Sequence, residues 1–322
     1  MGKPITRLNP QIESRIYKIL FSEALKILLT IVTLLPQEEI HNKRGPKPYD
    51  HRIILVLCIF RILLRKTYAD YEIEMRTDSR ICKILGLQIL PGKSTIQRAM
   101  STIKMDLLRK INKFLVGNWI KRKLNILVDA SGIRILGRSV WYSIRAKKPI
   151  SRRECDKVHL AICSDTMLVL NWFITKWRRN DSPFFKKLLK PFRILGRVLA
   201  DAGYLSRENY QHVADKNGSA FIPFKKNSTA KPKNSPAWKF AFRLWKLLPR
   251  VFKGIYNQRS KIECVFSVLK KRWGDKLYSK KAYIRRREMA FRFIAYNLKL
   301  IVCLNYARKN NLSLWVRAKR GE

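Results

Sequence analysis

Residues 256–274, YNQRSKIECVFSVLKKRWG, hold a single carboxylate, Glu263, among lysines and arginines. Tyr256, Arg259, Glu263 and Lys270 stand at offsets of three, seven and fourteen, so at the angular advance of a helix they fall within roughly 60° of one face. That face bears an anion, two cations and a phenol. Beside it Ile255, Ile262, Val265, Phe266, Leu269 and Trp273 form an apolar stripe fit to pack on a sheet. Two chemistries are open to Glu263. It either pairs with Arg259 in solvent, for about 0.3–0.5 kcal/mol, or it holds a cation while the basic residues around it hold a polyanion beside that cation.

Two aspartates share a second context. Asp129 ends the run ILV and Asp201 ends the run VLA, and each is followed within three residues by glycine. An aspartate at the carboxyl end of a buried strand sits at the rim of a sheet, where ligands of α/β folds bind; a turn-forming aspartate is the alternative. His159, in KVHLAI, reads as a hydrogen-bonded strand histidine. Asp156, Asp165 and Asp181 stand in turn-like contexts and read as surface residues. GLQILPGKST ends like a phosphate loop, but the spacing from Gly86 puts Pro91 where the motif needs glycine. It reads instead as a helix capped by Ser94 with Gln97 completing a capping box. That helix is either the second of a helix-turn-helix, presenting Gln97 and Arg98 to DNA, or a packing helix.

The elements that must position these residues fall in three parts. Residues 1–36 and 49–120 have apolar positions at helical spacing, with Gly45, Pro46 and Pro48 as a break between them. From about residue 124 the chain changes character: NILVDASGIRIL, VWYSIRA, KVHLAICSD, MLVLNWFITKW and GRVLADAGY are β-branched or aromatic runs separated by turn residues, which predicts strands. SPFFKKLLKPF and SRENYQHVADKNG predict helices, SAFIPFKK a further strand, and residues 240–307 helices again. The sequence thus predicts a helical N-terminal domain over 1–120, expected to bind DNA, an α/β domain over 121–307, and a basic C-terminal tail over 308–322.

Composition bounds the partners. The chain has 69 lysines and arginines against 22 acidic residues, a net charge of +47 spread over 322 residues. Such a chain repels itself unless a polyanion neutralises it, and nucleic acid is the usual polyanion. A membrane-surface binder would gather its charge in one amphipathic helix. The longest apolar runs, residues 53–60 and 25–35, are too short to span a bilayer. The six cysteines form no CxxC pair and suggest neither a zinc site nor a disulfide framework, which points to a reducing cytoplasm. With 47% apolar residues, the chain has ample material for a core.

The stretch YNQRSKIECVFSVLK resembles the Tyr-x2-Arg-x3-Glu-x6-Lys signature of insertion-sequence transposases of the DDE class. ILVDASG is similar to that family's first-Asp strand and VLADAGYLSREN to its second-Asp segment. Residues 44–100 resemble the family's helical N-terminal region. The resemblance implies an RNase H-like mixed sheet with flanking helices, preceded by an all-helical N-terminal domain. It also implies that Asp129, Asp201 and Glu263 gather around two Mg²⁺ ions, with Mn²⁺ as a substitute, as catalytic and metal-binding residues. Arg259, Lys270 and Tyr256 become the DNA-binding residues.

The implied activity is cleavage of the ends of a mobile element and their joining to target DNA. The implied partners are double-stranded DNA, as terminal inverted repeats and target, and a second copy of the chain in a synaptic homodimer, in the cytoplasm with the nucleoid and with no membrane. A non-catalytic nucleic-acid-binding protein, or a decayed copy that retains only binding, accounts for the charge equally well. A nuclease acting on RNA–DNA hybrids shares the core but has no use for the helical region. Only 62 positions separate Asp201 from Glu263, so the large inserted β domain of some relatives does not fit.

Overall fold

The computed structural model describes residues 5–36, 49–77, 80–135, 145 and 155–318. Two compact units emerge, one formed by Met1–Val116 with Met289–Glu322 and the other by Gly117–Glu288. The expected break at Gly45–Pro48 lies outside the described residues, as does, apart from Arg145, the strand expected at residues 140–146.

The first unit contains strand β1 (Ile5–Leu8) and helices α1 (Pro10–Thr33), α2 (His51–Leu63), α3 (Tyr68–Thr77), α4 (Arg80–Ile84), α5 (Lys93–Thr102) and α6 (Met105–Gly117). Asn9 caps α1 by accepting the Gln11 N–H, and Pro10 begins the helix where its missing N–H is of no consequence. Asp50 caps α2 in the same way through the Arg52 N–H. α2 is buried nearly all round, from Ile54 to Leu63. The long last helix, α12 (Ala282–Lys309), is as thoroughly buried from Met289 to Leu298, and its Asn297 meets Asn112 of α6 at 2.7 Å. Two findings depart from the sequence reading. Residues 5–8 are a strand rather than helix, and residues 315–318 of the expected tail form its antiparallel partner β8 (Trp315–Ala318). Ser94 does not cap α5: Gly92 holds the cap position without a side-chain bond, and the Lys93 N–H goes to Glu72 Oε2 at 3.2 Å. Gln97 and Arg98 are exposed.

The second unit is a mixed α/β structure built on a six-stranded sheet. In chain order it contains β2 (Leu124–Ile135), β3 (Cys155–Cys163), β4 (Val169–Lys176), α7 (Ser182–Leu189), β5 (Leu195–Ala200), α8 (Arg207–Ala214), β6 (Ser219–Phe221), α9 (Pro236–Leu247), α10 (Pro249–Tyr256), α11 (Ser260–Trp273) and β7 (Lys276–Leu277). The strands lie in the order β4-β3-β2-β5-β6, with β3 antiparallel to both neighbours and β2, β5 and β6 parallel. This is the mixed sheet of the RNase H-like core that the resemblance implies. Leu127, Val128, Leu160, Ala161, Ile162, Val198 and Leu199 are buried at 2% exposure or less, as expected of central strands covered on both faces.

The register of β2 against β5 prepares the site. β5 carries a bulge opposite Asn125, whose Oδ1 accepts the Arg197 N–H at 2.9 Å, and Gly196 leaves room for that side chain. Pairing then runs to Val128 opposite Ala200 and stops. β2 gains its next parallel neighbour only at Arg134 and Ile135, which pair with β7. Residues 129–133 of β2 therefore border a notch in the sheet. Among the described residues no helix is long and apolar enough to cross a membrane.

Candidate functional site

Asp201 follows the end of β5 as expected, whereas Asp129 lies in mid-strand, paired with Leu160 of β3, at the point where the β2–β5 pairing ends; both stand at the head of the notch. Asp201 begins a 3₁₀ turn, Ala202–Tyr204, without a side-chain bond to it. Opposite them lies α11, fixed at two points: Lys261 Nζ donates to the Ser164 carbonyl at 3.2 Å, and Lys270 Nζ donates to Ser131 Oγ at 2.8 Å. Its apolar stripe, Ile262, Val265, Phe266 and Leu269, is buried. Gly274, at φ 80°, takes a backbone conformation that L side chains rarely adopt and returns the chain to β7.

Arg259 joins the acidic residues directly. Its Nη1 donates to Asp129 Oδ2 at 2.8 Å and its Nη2 to Glu263 Oε1 at 2.7 Å. Asp129 Oδ1 accepts the Ala130 N–H at 2.8 Å. A cavity of about 390 Å³ is lined by Asp129, Ser131, Glu263, Phe266, Lys270 and Lys271, among others. Asp129 and Arg259 are mostly enclosed, whereas the Glu263 side chain is 58% exposed.

Charge is unevenly balanced here. Burial pushes the Asp129 carboxyl above its ordinary value, the negative charges of Asp201 and Glu263 add to the shift, and the Ala130 N–H and Arg259 only partly offset it. Burial works against the Arg259 charge, but Tyr256, Asp129, Glu263 and Asp201 outweigh it and hold the guanidinium above its usual range. Burial likewise raises the Tyr256 phenol, with Asp201 and Asp129 contributing. The carboxylates thus form one electrostatic cluster, with a guanidinium where a cation is wanted.

Among the described residues no three His, Cys, Asp or Glu side chains stand close enough together to hold a metal as they are placed. The donor chemistry nevertheless suits one, because Asp129, Asp201 and Glu263 offer only hard oxygens and repel one another across the notch. Arg259 is what keeps Asp129 and Glu263 occupied in the structure.

Each expected site residue has a definite place. Asp129, Arg259 and Glu263 are in contact, Asp201 is within electrostatic reach, and Lys270 lies along the same cavity. Tyr256 differs from the expectation in one respect. It ends α10, and the 3₁₀ turn Asn257–Arg259 separates it from α11. The tighter winding of that turn breaks the count of about 100° per residue that put all four residues on one face. Tyr256 still neighbours Arg259, whose Cζ lies 5.8 Å from its ring centroid.

Of the three aspartates read as surface residues, Asp156 is not one: it is 7% exposed and accepts from Arg285 Nε at 2.6 Å. Asp181 is half-buried and accepts from Lys157 Nζ at 2.9 Å, and Asp165 is exposed. The partners of Asp156 and Asp181 lie 129 and 24 residues away, too far for a local pattern to register. His159 is fully buried and hydrogen-bonded, as its strand position suggested. Between Asp201 and Glu263 the structure has α8, the short β6, α9 and α10.

Residues 121–298 match the family described as transposase DDE domain, a little over half of the chain. Comparison with curated proteins gave no match. Among solved structures, the chain is similar to a piggyBac transposase seen in a synaptic complex with hairpin DNA, at a TM-score of 0.47 and 10% identity over 97% of this chain and 80% of that one.

Proposed function

The chain belongs to the transposase DDE-domain family, and from that premise we propose that it cuts DNA at the ends of a mobile element and joins them to target DNA, with Asp129, Asp201 and Glu263 as the catalytic carboxylates. What supports this reading is that Arg259 bridges Asp129 and Glu263 at the notch where β2 loses its parallel neighbour, with Asp201 within electrostatic reach and Lys270 alongside.

Enzymes of this family generally use divalent metal ions. Here Asp129, Asp201 and Glu263 would hold them, Mg²⁺ or Mn²⁺ as two ions, and the bound metal would supply activation of a water or 3′-hydroxyl and stabilisation of the leaving oxygen. The chain's own residues do the rest. Arg259 neutralises Asp129 and Glu263 in the resting chain and offers a planar donor fork to a phosphate when it lets go of them. Lys270, anchored on Ser131, sets a point charge along the same cavity. Tyr256 has its hydroxyl held protonated by burial, so it donates to a phosphate or stacks on a base. Double-stranded DNA is the substrate that a net charge of +47 serves. Two ends cut in one event require two copies of the chain.

The test uses a supercoiled plasmid carrying the DNA that flanks the gene, incubated with purified protein and Mg²⁺. Nicking at the element ends is expected, and Asp201→Ala and Glu263→Gln each abolish it without weakening DNA binding. Undiminished nicking in both variants overturns the proposal.

A further inference from the structure

Behind Asp201 lies a polar chain that the cutting reaction does not itself require. Tyr204 closes the 3₁₀ turn that Asp201 begins, with its N–H on the Asp201 carbonyl at 2.9 Å, and its side chain is 1% exposed. Its hydroxyl lies 3.3 Å from His159 Nδ1, and His159 Nε2 lies 3.0 Å from Thr175 Oγ1. Thr175 in turn donates to the Lys176 carbonyl at 3.3 Å, which leaves its oxygen to accept from Nε2–H. That order assigns the proton to Nε2 and makes Nδ1 the acceptor of the Tyr204 hydroxyl. Burial holds the imidazole neutral, lowering its pKa to about 4. Phe184 stacks on the ring at 4.6 Å.

The rest of the turn is gripped as well. The Tyr204 carbonyl accepts from Asn209 Nδ2 at 2.7 Å, and Asn209 is 2% exposed. A Cβ on Gly203 would stand 3.2 Å from Asp181 Oδ2, so the turn lies hard against the Lys157–Asp181 pair. A phenylalanine at 204 would fill the same volume with no buried hydroxyl to satisfy. The hydroxyl instead ties the turn to strand β3, where His159 faces Ala130, the residue after Asp129.

We infer that Tyr204 and His159 are positioning residues, which lock the Asp201 turn onto β3 and so fix the Asp201 carboxylate relative to Asp129. The inference rests on the reading of these aspartates as one metal-holding site. Partners that orient metal-binding side chains typically change metal affinity by about 10- to 100-fold when removed.

The experiment compares the full chain with Tyr204→Phe and His159→Gln by hydrogen exchange and by Mn²⁺ titration calorimetry. Tyr204→Phe keeps the ring and carries the test should His159→Gln fold poorly. Expected are faster exchange of the Tyr204 and Leu205 amides with β2 and β3 unchanged, and Mn²⁺ affinity lower by about 10-fold. The double variant should be no worse than the worse single, because both break one link. Exchange and affinity equal to those of the unaltered chain in Tyr204→Phe overturn the inference. No Mn²⁺ uptake by the unaltered chain overturns the metal-site reading instead, and the two amides then decide on their own whether Tyr204 pins the turn.

Discussion

Arg285 and Arg259 each take a carboxylate from a strand of the same sheet, Asp156 on β3 and Asp129 on β2, yet they treat it differently. Arg285 Nε reaches Asp156 Oδ2 at 2.6 Å while Nη1 donates to the Lys280 carbonyl at 2.5 Å, and both side chains are 10% exposed. Arg259 divides itself between Asp129 and Glu263, beside an open cavity and a third carboxylate, Asp201. The first arrangement commits all three guanidinium nitrogens to partners within the protein, which suits it to holding the fold. The second leaves acidic groups crowded and a cation exchangeable, which is what a site needs if metal and phosphate are to enter.

The largest effect expected from this contrast is on stability at the closed pair. Arg285→Met leaves Asp156 buried and alone, and should cost about 3–5 kcal/mol in urea unfolding. Arg259→Met should cost less, because Glu263 is exposed to solvent and the raised pKa of Asp129 lets it take up a proton when its partner is lost. Equal losses would erase the distinction.

Charge removal should act with opposite signs. The folded-state pKa of Asp129 is raised above its unfolded value, so the folded chain binds that proton more tightly. Stability then falls as pH rises between the two values, and above them the charged carboxylate costs stability. In the metal-free chain at pH 7, Asp129→Asn should therefore raise the melting temperature, while Asp156→Asn lowers it. A lower melting temperature in both would make Asp129 a structural residue.

His159 gives a pH-dependent version of the same test. Its pKa is lowered from 6.5 to about 4, so between those values the unfolded chain binds a proton that the folded one refuses. Its stabilisation is complete above pH 6.5 and is lost as the pH falls towards 4. The melting temperature of His159→Gln should decline less steeply than that of the unaltered chain across this window, and parallel curves would count against a neutral, locked imidazole. The smallest effect concerns Lys270. Lys270→Ala should reduce the slope of log K against log salt for duplex DNA by about 0.9, the loss of one phosphate contact; an unchanged slope removes Lys270 from the DNA-binding face.

The strands that carry Asp129 and Asp201 are legible in the sequence as apolar runs that meet an acidic residue with glycine nearby, a local pattern, but only Asp201 follows the end of its strand, since β2 continues past Asp129 to Ile135 against β3. The four-residue spacing of Arg259 and Glu263 is legible for the same reason. What escapes is set by distant partners. The β1–β8 ribbon pairs residues more than 300 positions apart, and neither strand announces itself locally. Asp156 looks like a turn aspartate until Arg285, 129 residues on, encloses it. The 3₁₀ turn at Asn257–Arg259 stays close to helical dihedrals, so no glycine or proline marks the point where Tyr256 leaves the stripe. His159 reads as a hydrogen-bonded strand histidine, but nothing local names Tyr204, 45 residues on, as its partner, since only the fold brings them together.

The most direct test of the site is stoichiometric Mn²⁺ binding, followed by electron paramagnetic resonance, for Asp129→Ala, Asp201→Ala and Glu263→Gln beside Asp165→Ala as an exposed acidic control. Each of the first three should lose carboxylate-dependent Mn²⁺ uptake while the control binds like the unaltered chain. Equal binding by all four variants would contradict a single site formed by Asp129, Asp201 and Glu263.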